Sequence, residues 1–330
     1  MTSLLEVARR AGVSRQTVSN VINAPDRVAA STRERVEAAI EELSYVPNRS
    51  ARNLRSRRSH LLGLDLLPTG PNEFSPVLDR FVHALTEEAS RFGYHVLVFP
   101  RGEDPGTSHL PLHATQTVDG FVLIDTEFDD SRAEVLAKND VPFVTFGTTG
   151  GNIVHDVVEV DGHLGGRLAG REALARGARA PAFIGWPEGS LAGDARLAGF
   201  LEVCGESGLS VEEVPVLRRM NRVEDGVEAA MTLLRADRSV DAIVTVSDLL
   251  AVGVLRAIRS FSLRAGQDVR VVGFDDAPIA AHLDPPLTTV GQPVREVAQR
   301  VIATFLARLE DPEAPVRVDL LDPYIVVRLT

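Results

Sequence analysis

The residue pattern predicts a chain in two parts: a small all-helical N-terminal unit, then a large α/β core built on parallel sheets. Three observations carry this. From Leu61 onward, short apolar runs alternate with amphipathic helical stretches. The first sixty residues contain helix-capping signals and no such runs. The charge divides at the same place: eleven arginines against six acids leave +5 on residues 1–59 and −16 on the rest of a chain whose net charge is −11. At 330 residues the length also exceeds one ordinary domain.

Composition excludes several classes. Apolar residues at 44% and charged residues at 25% argue against disorder and fibrous repeats. One cysteine, Cys204, rules out an intramolecular disulfide framework and a four-cysteine zinc site. No apolar run has the length of a membrane span, and the first residues lack the apolar stretch of a secretory signal, so the expected location is the cytoplasm.

In the N-terminal unit, Ser3-Leu4-Leu5-Glu6 is a capping box that starts a helix near Leu4, and Gly12 supplies its left-handed stop. Ser14 caps a second helix from Arg15 to Ile22. Two short helices joined through Ala-Gly-Val-Ser describe a helix-turn-helix, whose second helix enters the DNA major groove. Val18, Val21 and Ile22 face inward, leaving Arg15, Gln16, Ser19 and Asn20 outward. Arginine can grip guanine bidentately, glutamine and asparagine can grip adenine, and hydroxyls can hold phosphates. A second S-x-x-E box, Ser31 to Glu34, predicts the start of a third helix, with Val36, Ala39, Ile40 and Leu43 on one stripe. Five arginines then fall between Arg49 and Arg58 with no acid among them.

SLLEVARRAGVSRQTVSNVIN and STRERVEAAIEELSYVPNRSARNLRS closely resemble the DNA-binding headpiece of the LacI/GalR family of bacterial transcriptional regulators, from Ser3 to about Ser59. The resemblance implies base-reading roles for Arg15, Gln16 and Asn20, and backbone or positioning contacts for Thr17, Ser19, Asn23 and Tyr45. The family commonly has arginine where this chain has Asn20. Residues 47–56 match the family's hinge helix. Leu54 takes the place of the apolar wedge that opens the minor groove, with Asn48, Ala51 and Arg52 at the same groove.

In the core, LLGLDLL, HVLVF, GFVLI, PFVTF, APAFIG, DAIVTV and VRVVGF read as buried strands, with helices over 76–92 and 248–260. Ligands in such sheets bind beyond the carboxyl ends of the strands, which selects the segments after Leu67, Ile124, Phe146, Ile184, Val246 and Phe274. The segments VGFDD, PPLTTVGQP and ARLAGF resemble the family's periplasmic-binding-protein-like core, implying two subdomains with an effector in the cleft between them. The implied organisation is a headpiece over 1–46, a hinge helix and linker over 47–59, and an effector-binding and dimerisation core over 60–330. Within that core, about 60–160 and 292–322 form the N-subdomain, and about 161–291 and 323–330 the C-subdomain.

By the same resemblance, Arg196 occupies the position that clamps a ligand hydroxyl or carboxylate. Asp275 can accept two hydrogen bonds from adjacent sugar hydroxyls, or serve as a turn residue. Ser247 stands where the family often has asparagine. Asn72, Phe74 and Asp125 follow strands at cleft positions. Phe74 and Trp186 suit either sugar stacking or packing. At Gly147-Thr148 the arginine or aspartate that sugar-responsive relatives often carry is absent.

No H-E-x-x-H, G-x-S-x-G or phosphate-cradling G-x-x-x-x-G-K is present, and Pro111 separates His109 from His113, so no catalytic residue, metal or cofactor is expected. The expected function is a homodimeric repressor that binds pseudo-palindromic duplex DNA, controls carbohydrate-utilisation genes and responds to a sugar. A purine-type corepressor-dependent regulator and a sugar-binding solute receptor are the alternatives.

Overall fold

The computed structural model describes residues 3–23, 25–45, 58–67, 75–175, 177–237 and 239–330. The chain divides into two units, Met1–Ser59 and His60–Thr330.

In the first unit, α1 (Leu4–Ala11) opens on the Ser3–Glu6 capping box and ends at Gly12, whose φ of +65° suits a residue without Cβ. Then come α2 (Arg15–Asn23) and α3 (Ala30–Glu42). Val7, Ala8, Ala11, Val18, Val21, Val36, Ala39 and Tyr45 form their shared core. Arg35 donates to the Ala11 carbonyl at 2.7 Å, placing a cation at the C-terminus of α1 where the helix dipole favours it. One expectation is corrected. The third helix starts at Ala30 with no side-chain cap, so Ser31 lies inside its first turn. The S-x-x-E pattern there is incidental, because the preceding alanine already takes helical geometry.

The second unit holds strands β1 (Leu61–Leu66), β2 (His95–Pro100), β3 (Gly120–Leu123), β4 (Phe143–Phe146), β5 (Asp156–Val160) and β6 (Pro181–Gly185). They are followed by β7 (Val216–Arg218), β8 (Ala242–Thr245), β9 (Arg270–Asp275), β10 (Thr288–Gly291), β11 (Val318–Leu321) and β12 (Tyr324–Val326). They form two six-stranded sheets, in the orders β11-β5-β4-β3-β1-β2 and β12-β10-β9-β8-β6-β7. All pairings are parallel except that of β12 with β10.

The helices are α4 (Pro76–Arg91), the short α5 (Pro105–Ser108) and α6 (Leu110–Ala114), α7 (Ser131–Lys138) and α8 (Gly162–Leu174). After them come α9 (Leu191–Glu206), α10 (Val223–Ala236), α11 (Asp248–Ser260) and α12 (Val294–Glu310). Ser75 caps α4 and Pro76 sits at its first turn, and Phe81, Ala84, Leu85 and Ala89 supply its buried face. The chain passes from the first sheet to the second after β5, returns before α12, and passes again between β11 and β12. Each half therefore has its own core. One contains Phe81, Leu85, Val144 and Phe305, the other Phe183, Phe200, Val254 and Phe274. Burying each such phenylalanine contributes about 1.5–3 kcal/mol.

The glycine-rich GHLGGRLAG stretch is helix-packing surface. A Cβ on Gly166 would collide with the Arg196 carbonyl, and one on Gly199 with the His163 carbonyl. Helices α8 and α9 therefore cross closely at Arg196. Among the described residues, no helix is long and apolar enough to cross a membrane.

Candidate functional site

In the first unit, the outward face of α2 carries the residues expected to read bases. Ser14 accepts from the Thr17 amide at 3.0 Å, capping the helix. Arg15 and Gln16 are exposed, while Thr17, Ser19 and Asn20 are half-buried. The Gln16 amide donates to Asn20 Oδ1 at 2.9 Å, one turn along the same face, which links the two amides into a preset pair. The ring of Tyr45 belongs to the unit's core, so it supports the face from beneath. Asn48, Ala51, Arg52, Leu54, Asn72, Phe74 and the side chain of Asn23 lie outside the described residues.

In the second unit, α9 carries Arg196 to the ends of β8 and β9. The residue is only 7% exposed. Nη1 donates to the Val246 carbonyl at 2.7 Å and stands 3.8 Å from Asp275 Oδ1. The charge lies 3.7 Å from the ring centroid of Phe274 and 5.1 Å from that of Trp186, two cation–π contacts in a desolvated setting. Arg196 Nε and Trp186 Nε1 are both buried without a hydrogen-bond partner. Buried donors left open are costly unless an acceptor arrives.

Asp275 ends β9 and receives a hydrogen bond from Gln292 Nε2 at 2.7 Å. Burial pushes its carboxyl up to about 6, although Arg196, Gln292 and Arg80 all favour the charged form. Asp248, at the start of α11, accepts from Thr289 Oγ1 and the Ala277 amide, each at 2.6 Å. Burial, then the neighbouring Asp275, raise its pKa well above the usual carboxylate range. Ser247 caps α11 and donates to Asn221 Oδ1 at 2.6 Å, so its hydroxyl is engaged within the chain.

Arg196, Asp275, Trp186 and Ser247 thus cluster at the carboxyl ends of the second sheet. Asp125 lies at the corresponding end of the first, exposed, with a φ of +47°. Among the described residues, no hydrogen bond or ion pair joins it to the Arg196 cluster. Beneath Asp125 is a buried charge network that the strand pattern did not reveal. Arg132 Nη1 lies 3.0 Å from both carboxylate oxygens of Asp65, and Arg132 Nη2 lies 2.6 Å from Asp130. Arg101 Nε lies 2.7 Å from Asp65. Both arginines also donate to the carbonyls of Ile124 and Asp125. The network therefore fixes the backbone that presents Asp125. Its only local sign was an acid, Asp65, inside the apolar run LLGLDLL. Gln292, Asn221 and Arg80 are further residues at this site that the strand-end rule did not single out.

Known proteins share both parts. A family model described as bacterial regulatory proteins, lacI family, matches residues 3–48. One described as a periplasmic binding protein-like domain matches residues 171–330. The HTH-type transcriptional regulator CelR of Thermobifida fusca is 35% identical over 329 residues, covering 98% of this chain and 96% of that protein. The chain belongs to the LacI family of DNA-binding transcriptional regulators. Its relatives include the HTH-type transcriptional repressor PurR of Proteus mirabilis, 30% identical with 99% of this chain and 96% of that protein covered. Among solved structures, a CelR–cellobiose complex matches with a TM-score of 0.75 and 32% identity, covering 100% of this chain and 99% of that one. The lac repressor dimer bound to operator and the anti-inducer ONPF matches with a TM-score of 0.85 and 29% identity, covering 100% and 98%. Among the described residues, no group of three or more ligating side chains is placed to hold a metal.

Proposed function

We propose that this LacI-family member is a cytoplasmic, non-enzymatic homodimeric repressor of carbohydrate-utilisation genes. Its operator affinity is set by a saccharide bound against Arg196, Asp275 and Trp186. Residues 1–46 read the operator, 47–59 form the hinge, and 60–330 sense the ligand. The observation that carries this is the pair of open buried donors, Arg196 Nε and Trp186 Nε1, beside the acceptor carboxylate of Asp275. Open donors and an acceptor in one cluster suit a run of sugar hydroxyls, each of which both donates and accepts. The cellobiose complex of CelR supports a saccharide ligand. For the DNA, the Gln16–Asn20 pair and exposed Arg15 on α2 support major-groove reading.

The test is thermal unfolding of the full chain with cellobiose, a panel of mono- and disaccharides, and hypoxanthine and guanine. A saccharide present at a hundred times its Kd stabilises the chain by about 2.7 kcal/mol and raises Tm. A rise with a purine and with no saccharide would replace this reading with a corepressor-dependent one, which the similarity to PurR favours.

A further inference from the structure

The turn that presents Asp275 is strained. Asp275 and Asp276 have φ values of +112° and +47°, two consecutive residues with a Cβ in a region such residues rarely occupy. Such a pair of conformations persists only where its surroundings over-determine it. Several restraints come from the second half of the core. Arg328 holds the Asp276 carboxylate at 2.6 Å, the Asp276 amide donates to Thr289 Oγ1 at 3.4 Å, and the Ala277 amide donates to Asp248 at 2.6 Å. Gln292, in the segment returning to the first half, holds Asp275 Oδ1.

One restraint comes from the opposite half. Arg80 lies on α4, which packs on the first sheet, and its Nη1 donates to the carbonyls of Asp276 at 2.8 Å and Asp275 at 3.2 Å. Among the described residues, no carboxylate forms an ion pair with Arg80. An arginine that uses one NH2 group on two successive carbonyls is a backbone clamp. The helix bearing it buries Phe81, Ala84, Leu85 and Ala89 against the first sheet.

We propose that Arg80 is a positioning residue for the effector site: from the first half it clamps the strained turn that aims Asp275 in the second half, coupling ligand occupancy to the relative position of the halves. This rests on the reading of Asp275 as an effector contact. A movement of α4 against the second sheet must break or re-form both hydrogen bonds, and with them the restraint on Asp275. A ligand held by Asp275 therefore binds the two arrangements unequally, which regulation requires.

The test uses the full chain as wild type, Arg80→Lys and Arg80→Met. Without ligand, amide exchange at Asp276 and Ala277 is expected to accelerate about tenfold in Arg80→Met, the loss of a charge-assisted hydrogen bond. Arg80→Lys, which keeps a cationic donor, should fall between, and exchange elsewhere should be unchanged. Cellobiose is then titrated against the fluorescence of Trp186, the sole tryptophan. Its Kd should weaken about tenfold in Arg80→Met and less in Arg80→Lys. If wild type does not respond to cellobiose, that ligand is excluded and the exchange measurement still decides the clamp. Wild-type exchange at Asp276 and Ala277 in Arg80→Met overturns the proposal. So does acceleration spread across the chain, which a merely structural role would give, or a wild-type Kd in Arg80→Met where wild type binds cellobiose.

Discussion

The guanidinium of Arg196 lies 3.7 Å from the ring centroid of Phe274 and remains open at Nε. Aromatic contacts hold the charge in place without consuming its donors, so the fork keeps a free N–H for a ligand oxygen. Arg196→Ala is expected to weaken saccharide binding about 100-fold, the usual loss when one member of a buried charged pair is truncated. Operator binding without ligand should change by less than about twofold. Anisotropy titrations of labelled operator, with and without saccharide, check both; a variant released as readily as wild type would remove Arg196 from the site.

Ligand binding should depend on pH through Asp275, whose carboxyl burial raises to about 6. If hydroxyls donate to the carboxylate, only the ionised form binds well. Acid then weakens binding as pH falls through that value, by about tenfold from pH 7.5 to pH 5. Burial lowers the Arg196 pKa, opposed by Asp275 and Asp248, but a guanidinium starts from so high a value that it is not the group titrating in this range. Calorimetric Kd values at the two pH values measure the effect, and Asp275→Asn should bind weakly with a flat profile. A wild-type affinity that strengthens in acid would give the contact the opposite sign.

The Asp65 network makes a stability prediction. Burial works against the Asp65 carboxylate, but His109 at 3.8 Å and the guanidiniums of Arg132 and Arg101 pull its pKa down from 3.8 to about 2. A carboxyl depressed in the folded state contributes stability that is complete above its unfolded value and lost as pH falls through the folded one. Here that is about 2.5 kcal/mol, lost between pH 4 and 2. Arg132→Met should cost about 3–5 kcal/mol at pH 7, because it leaves two buried carboxylates short of a partner. It should also move acid unfolding to higher pH. Urea titrations at pH 7 and an acid titration followed by circular dichroism measure these changes, and an unchanged acid midpoint would show that Arg132 does not set the Asp65 charge.

DNA reading separates into two variants. Gln16→Ala should cost about 1–3 kcal/mol on the preferred operator and little on random duplex. Leu54→Ala should weaken operator binding at least about tenfold and leave random-duplex binding near wild type, because unstacking a central step is useful only at a specific site. Equal losses on both duplexes would contradict the wedge role of Leu54.

The parts legible in the sequence were those with local signals. The capping box at Ser3, the stop at Gly12 and the buried face of α4 follow from residues three or four apart. β8 and β9 were visible through the apolar runs DAIVTV and VRVVGF, whereas β7 and β12, three residues each, form no such run. β11 escaped for another reason: as an edge strand, it leaves Val318 and Leu320 exposed and places Asp319 between them. Arg196 was found through its ARLAGF motif. The contacts of Arg132 with Asp65 and of Arg80 with Asp276 span 67 and 196 residues, so no local spacing announces them. Such pairs exist only once the sheets have assembled.

The most direct test of ligand-controlled DNA binding begins by selecting random duplexes with the full chain. The selected duplex is then rebound with each saccharide in turn, using wild type and Arg196→Ala. The expected result is a pseudo-palindrome released from wild type by at least one saccharide and retained by Arg196→Ala. Failure to enrich any sequence, or an enriched duplex that no saccharide releases, would contradict the assignment.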